Sequence, residues 1–149
     1  MNNKLIVAGA LCAVLGAGVV AATDDMGEGW INYRQGVMKS ASGHMKAAGA
    51  LLKNDLKLDG ALVAHARALA DMGPHLVDMF PADSDFGDTD AKAEVWSKRA
   101  EFEQAAKHYG EASAAFLKAA EGGDAAKAGA AMGELGKACK GCHKQFRED

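Results

Sequence analysis

Two thiols and an imidazole are packed into one short stretch, Cys139-Lys140-Gly141-Cys142-His143. Each thiol can add to a vinyl group of a porphyrin and form a thioether. The imidazole that follows at once can give an axial nitrogen to the iron. Two cysteines three apart followed by histidine are therefore the attachment signature of a c-type haem. On a helix that advances about 100° per residue, Cys139, Cys142 and His143 share a face. Met132, Leu135 and Phe146 extend that face as an apolar stripe. Two other chemistries fit the cysteine pair less well. A thiol–disulfide centre belongs in a βαβ setting, and nothing here alternates as a strand does. A zinc site needs a second pair of donors, and no second cysteine pair is present.

Such a face has to be carried by a helix, and the chain reads as four of them. Trp30, Arg34, Val37, Met38, Ala41, Met45, Ala48 and Leu52 recur at threes and fours, with Asp24 or Asp25 as the expected cap and Asn54-Asp55 as the end. Leu58, Leu62, His65, Leu69, Met72 and Leu76 repeat the pattern, with Gly73-Pro74 as a bend or an end in it. Residues 81–90 lose the period and form the one long connection. Val95, Phe102, Ala106, Tyr109, Phe116 and Ala120 mark a third helix, capped by Thr89 or Asp90 and ended by Gly122-Gly123. Asp124 caps a fourth, which carries the Cys-x-x-Cys-His stretch. Two short connections and one long one between amphipathic helices predict an all-α fold, an antiparallel up-down-up-down four-helix bundle. Gly36, Gly43 and Gly136 each cost a helix about 1 kcal/mol relative to alanine. Close approach of a porphyrin or of a neighbouring helix would explain them.

With 149 residues, 49% of them hydrophobic and only 6% aromatic, one domain with a small-residue core is expected. Residues 1–22 read as a cleavable leader: Lys4 near the start, an apolar run, and Val20-Ala21-Ala22 before the cut. The mature domain is then 23–149, and the protein is periplasmic. An uncleaved leader would make it membrane-anchored. Cys12 follows the bulky Leu11, which does not suit lipidation, and leaves with the leader. The formal charge is −3, and no basic block tracks a phosphate backbone, so nucleic acid is not an expected partner.

A bundle with its haem motif on the last helix resembles the cytochrome c′ family, the class II c-type cytochromes that include low-spin members such as cytochrome c-556. The resemblance rests on Tyr33-Arg34-Gln35-Gly36-Val37-Met38, on Phe80-Pro81 with Ser84, on Val95-Trp96, and on the Cys-Lys-Gly-Cys-His-Lys-Gln-Phe-Arg ending. It covers the whole mature chain. It implies one covalent haem c per chain, held by Cys139 and Cys142, with His143 on the iron. It implies that Arg34 and Gln35 meet the haem propionates, that Ser84 lies near the haem and that Arg147 lies close to the axial histidine. Met38 takes the position over the iron. There its sulfur either ligates the metal or fills space, as leucine does in five-coordinate relatives.

Met45, seven residues on, reads as core, and His44, His65, His75 and His108 as surface or flank residues. Two functions follow from the resemblance: single-electron transfer between periplasmic redox partners, or reversible binding of nitric oxide or carbon monoxide at an open iron. No distal acid–base residue supports peroxidase chemistry, so no enzymatic activity is expected. A homodimer is expected from the family.

Overall fold

The computed structural model describes residues 17–148. Most of the expected leader, residues 1–16 with Cys12, lies outside them. The helices are α1 (Ala17–Lys53), α2 (Ala61–Asp71), α3 (Glu94–Ser97), α4 (Arg99–Glu121) and α5 (Ala125–Phe146). The four long ones form the four-helix bundle, and α3 is a single turn leading into α4. Among the described residues the only β-type pairing is an isolated bridge between Ala91 and Arg147. No described helix is long and apolar enough to cross a membrane.

The stripe on α4 shows why the sequence chooses this packing. Phe102, Ala106, Tyr109, Ser113, Phe116 and Ala120 are all buried, and their spacing alternates fours and threes, which holds one face toward the core. Ala66 and Leu69 of α2 and Ala128, Leu135 and Ala138 of α5 are buried too, and both helices pack against α4. Small residues let the axes close up. A Cβ added at Gly73, just after α2, would lie 3.1 Å from the Gly110 Cα of α4, so the two backbones touch there.

The punctuation is partly as expected. Asp124 Oδ1 accepts from the Ala126 and Lys127 backbone N–H groups at 3.0 Å each, a true N-cap. Gly123, at φ 73°, supplies the left-handed turn before it. Elsewhere the structure corrects the reading. Asp24 and Asp25 lie inside α1 rather than at its start. The second helix begins only at Ala61, and Leu58 is exposed. The third helix is broken at Lys98, whose φ −116° and ψ 47° are not helical. Neither Thr89 nor Asp90 caps it: Ala93 stands at the N-cap of α3 with no side-chain bond. Thr89 Oγ1 instead accepts from the Ala91 N–H at 3.2 Å and closes a local turn.

The long connection is tied down by side chains rather than by a backbone ladder. Trp96 Nε1 donates to the Pro81 carbonyl at 2.8 Å, and the Arg99 guanidinium donates to the carbonyls of Phe80 and Val77. The end of the chain joins in. Lys92 N–H donates to the Phe146 carbonyl at 3.0 Å, and Glu148 N–H to the Asp90 carbonyl at 2.7 Å.

Candidate haem-binding site

Cys139, Cys142 and His143 stand two turns or less from the end of α5, and all three are half-buried. Both cysteines are free thiols and pack against the same apolar core as Met38 of α1. Burial pushes both thiols up, Cys142 to about 11 with a smaller push from the neighbouring Cys139. Burial first, and then the Arg147 cation, hold His143 below its ordinary value, so its ring is neutral near pH 7. Arg147 Nη1 lies 3.5 Å from His143 Nδ1, too long for a firm hydrogen bond but close enough for charge to act.

The register of α1 against α5 sets what faces this triad. A Cβ on Gly136 would meet Met45 Cε at 3.9 Å, and one on Gly49 would meet Met132 Cε at 3.1 Å. From the first pair to the second, four residues forward on α1 match four back on α5, so the helices run antiparallel in a fixed register. Followed toward the start of α1, that register brings Met38 level with His143. The same register confirms Met45 as a packing residue against α5. Meanwhile α1 and α5 touch sparsely, whereas α4 and α5 pack closely. A Cβ on Gly36 or Gly43 would meet nothing, so no neighbouring helix accounts for those two glycines; Gly136 does face a neighbour, Met45.

Arg34 is the polar centre of the other wall. It is buried on α1, with its guanidinium spread over the long connection. Nη1 donates to Ser84 Oγ at 2.6 Å, and Nη2 donates to the Ser84 carbonyl at 2.7 Å and to Thr89 Oγ1 at 2.8 Å. Ser84 is fully buried, and its hydroxyl donates a hydrogen bond to the Pro81 carbonyl at 3.0 Å. The guanidinium also lies over Phe80 and Trp96, at 4.9 and 5.6 Å from the ring centroids. Gln35 Nε2 donates to the Asp88 carbonyl at 2.8 Å. Arg34, Gln35 and Ser84, singled out as cofactor contacts, are therefore brought together as the clasp between α1 and the loop. No carboxylate of the described residues pairs with Arg34, and its desolvation lowers its pKa.

Two groupings were not anticipated. Phe80, Phe102 and Phe146 stand edge-to-face in series, with centroids 5.0 and 5.3 Å apart, and link the Arg34 clasp to the helix that carries His143. Each residue was legible as apolar, but the order of contact depends on the fold. The second is a pairing of His44 with His65 between α1 and α2. The signal for it was the place of His65 on the apolar stripe of its helix. His75 and His108 are exposed.

The donor set fits a haem. Two thiols kept protonated and a neutral imidazole share a half-buried face. An apolar core with a sulfur-bearing side chain lies level with that imidazole, and a buried cation without a carboxylate partner borders the loop. A flat apolar macrocycle with two vinyl groups, an iron and two carboxylates asks for those features.

The comparisons agree. The family model for cytochrome c′ matches residues 29–147. The cytochrome c′ of Pararhodospirillum photometricum is 40% identical over 81% of this chain and 98% of its own length. That of Rhodospirillum rubrum is 37% identical with both chains covered in full. Proteins named cytochrome c-556 match as well. Among solved structures, the nitric oxide complex of a cytochrome c′ variant from Alcaligenes xylosoxidans superposes with a TM-score of 0.75 at 27% identity, covering 83% of this chain and 97% of that one. With the motif on the last helix of a four-helix bundle and a match spanning nearly the whole described chain, this chain belongs to the cytochrome c′ family of haem proteins.

Proposed function

We propose that the chain is a periplasmic carrier of single electrons, with one covalently held haem c. Cys139 and Cys142 would hold the haem through thioethers, and His143 and Met38 would supply the ligands of its iron. The observation that carries this is the register of α1 on α5, which sets Met38 level with His143 while both cysteines pack on the same core. When bound, haem c supplies a one-electron iron couple. The chain's part is to hold it. The half-buried face of α5 favours the protonated thiols and a neutral His143 with a lone pair to give. Met38 presents a soft thioether in apolar surroundings, a donor that favours the reduced metal. Arg34 and Gln35 offer donors to the propionates from the border of the loop, with Ser84 fixing the guanidinium. Arg147 places a positive charge beside the proximal ring. Enzymatic turnover is not part of this reading.

A second reading has one observation in its favour. A cytochrome c′ variant of similar fold was solved as its nitric oxide complex. In it Met38 would only fill space in the apolar core, and a bound haem would take up nitric oxide or carbon monoxide reversibly. His44, the polar side chain six residues after Met38, is engaged with His65.

The visible spectrum of the ferric protein separates the two. Carriage of electrons through a His–Met pair requires a low-spin spectrum with a methionine-to-iron charge-transfer band, lost in Met38→Ala. A high-spin spectrum, unchanged by Met38→Ala and altered by nitric oxide, overturns the first reading in favour of the second. Under either reading the mature protein is recovered from the periplasm, without the leader, as a homodimer.

A further inference from the structure

On an acidic chain, one helix face is positive alone. The formal charge is −3, and loss of Lys4 with the leader makes it more negative. Asp83, Asp85, Asp88 and Asp90 stand exposed on the long connection. On α5, by contrast, no acidic residue occurs from Leu135 to Arg147. Lys137, Lys140, Lys144 and Arg147 are all exposed there, at spacings of three, four and three, as a stripe about 15 Å long. Lys137 pairs with Glu134 at 2.7 Å. Lys140, Lys144 and Arg147 have no carboxylate within salt-bridge reach among the described residues. We propose that this stripe docks a soluble redox partner through an acidic face of that protein. Such docking rests on the electron-carrier reading above and adds the kind of surface to which the electron passes.

The stripe runs beside the residues that would hold the haem. At about 100° per residue, Lys140 and Lys144 stand about 60° and 100° round α5 from His143, and Cys139 and Cys142 lie on its other side. Arg147 Nη1 reaches to 3.5 Å from His143 Nδ1. All three cations are thus within about one turn of the half-buried imidazole. The helix dipole favours cations in the last turn. That accounts for Lys144 and Arg147 but not for Lys140, which lies six residues before the end of α5. Redox encounters bury little area, and charge steers them at rates that fall with salt. Unpaired cations on a rigid helix suit such a contact, because it must form fast and let go. An anionic membrane is the competing occupant. A broad negative surface laid on the stripe would also meet exposed Glu148 and Asp90, whose backbones are joined beside it. A protein face can be shaped to touch the stripe alone.

The test uses the ferrous, haem-loaded protein and hexacyanoferrate(III) in stopped flow. One electron leaves the protein, giving the ferric form and hexacyanoferrate(II), and no bond or proton moves. Net charge predicts repulsion of this trianion and a rate that rises as sodium chloride screens it. The stripe predicts the reverse, a rate that falls as salt rises. Lys140→Glu combined with Lys144→Glu should lower the low-salt rate at least about tenfold. It should converge on wild type near 1 M salt, where the Debye length is about 3 Å. Lys140→Gln combined with Lys144→Gln should give a smaller loss of the same sign. Lys53→Glu combined with Lys118→Glu makes the same change of charge in the last turns of α1 and α4, at the other end of the bundle. It should alter the rate less than about twofold. A second readout needs no electron transfer: amide NMR shifts on adding poly-L-glutamate. These should gather on residues 137–148 and vanish in the stripe variants. A rate that rises with salt, equal losses in stripe and control variants, or shifts spread over the whole molecule overturn the docking and leave the carrier reading standing. Binding to phosphatidylglycerol vesicles without binding to poly-L-glutamate overturns it in favour of a membrane surface. No oxidation by hexacyanoferrate(III) at any salt overturns the carrier reading itself, and the docking with it. The haem spectrum of each variant reports that fold and prosthetic group are retained.

Discussion

At Arg34, one side chain does the work that a strand pairing would do elsewhere. Its guanidinium spends three of its hydrogens on two oxygens of Ser84 and one of Thr89, all far along the chain, of the five that a guanidinium has. Truncating it strands those acceptors in a dry place, and each stranded group costs about 1–3 kcal/mol. Arg34→Ala should therefore lower stability by about 3 kcal/mol, read as a shift in the urea midpoint at constant slope. Arg34→Lys should recover only part of it, because an ammonium cannot fork across Ser84 and Thr89 at once. An unchanged midpoint in Arg34→Ala would deny the clasp its role. The thiols make a prediction of a different kind. In the haem-free chain Cys142 titrates near 11 rather than at its ordinary 9.0. The fold favours the protonated form, so this contribution is whole below about pH 9 and is lost as pH rises through about 11. Unfolding of haem-free protein in urea should show a midpoint flat up to pH 9 that falls from there to pH 11. Cys142→Ser should flatten that fall.

At the level of the elements, α1 and the loop approach each other more closely than the sequence suggests. A Cβ at Gly27 would run into the Asp83 carbonyl oxygen and come within 2.6 Å of the Phe86 ring. Gly27→Ala should displace the loop and cost about 1–3 kcal/mol, against the gain usual for an alanine in a helix. A melting temperature raised by this change would show that the loop gives way freely. What the sequence made legible has a local cause in each case. The Cys-x-x-Cys-His face, the Asp124 cap, the Gly122-Gly123 stop and the stripe of α4 depend on neighbours a few positions away. The rest depends on partners far off in the chain. Lys98 carries no glycine or proline to announce the break between α3 and α4. Asp24 and Asp25 look like caps, but α1 already runs through them. Thr89 has the right side chain for a helix start, yet it is claimed by Arg34 and Ala91. The pairing of His44 with His65 needs the register of α1 on α2, which no spacing within either helix contains.

The molecule as a whole is held by a core that leans to one side. Phe116, Leu69 and Leu135, fully buried, join α4 to α2 and α5. The seam between α1 and α5 is packed sparsely. Phe116→Ala should cost about 3–5 kcal/mol without touching any haem-facing residue. The check is a lower denaturant midpoint with an unaltered ferric spectrum. A spectrum altered as much as the midpoint would show that core and prosthetic group are not separable.

The stitching of residues 90–92 to 146–148 has one more consequence. The long connection is flanked on one side by the Arg34 fork and on the other by this seam with the end of α5. A protease that nicked the exposed peptide between them, residues 85–88, would sever the covalent thread between two anchored stretches. The two pieces would stay interlocked, each already moored to the other across the cut.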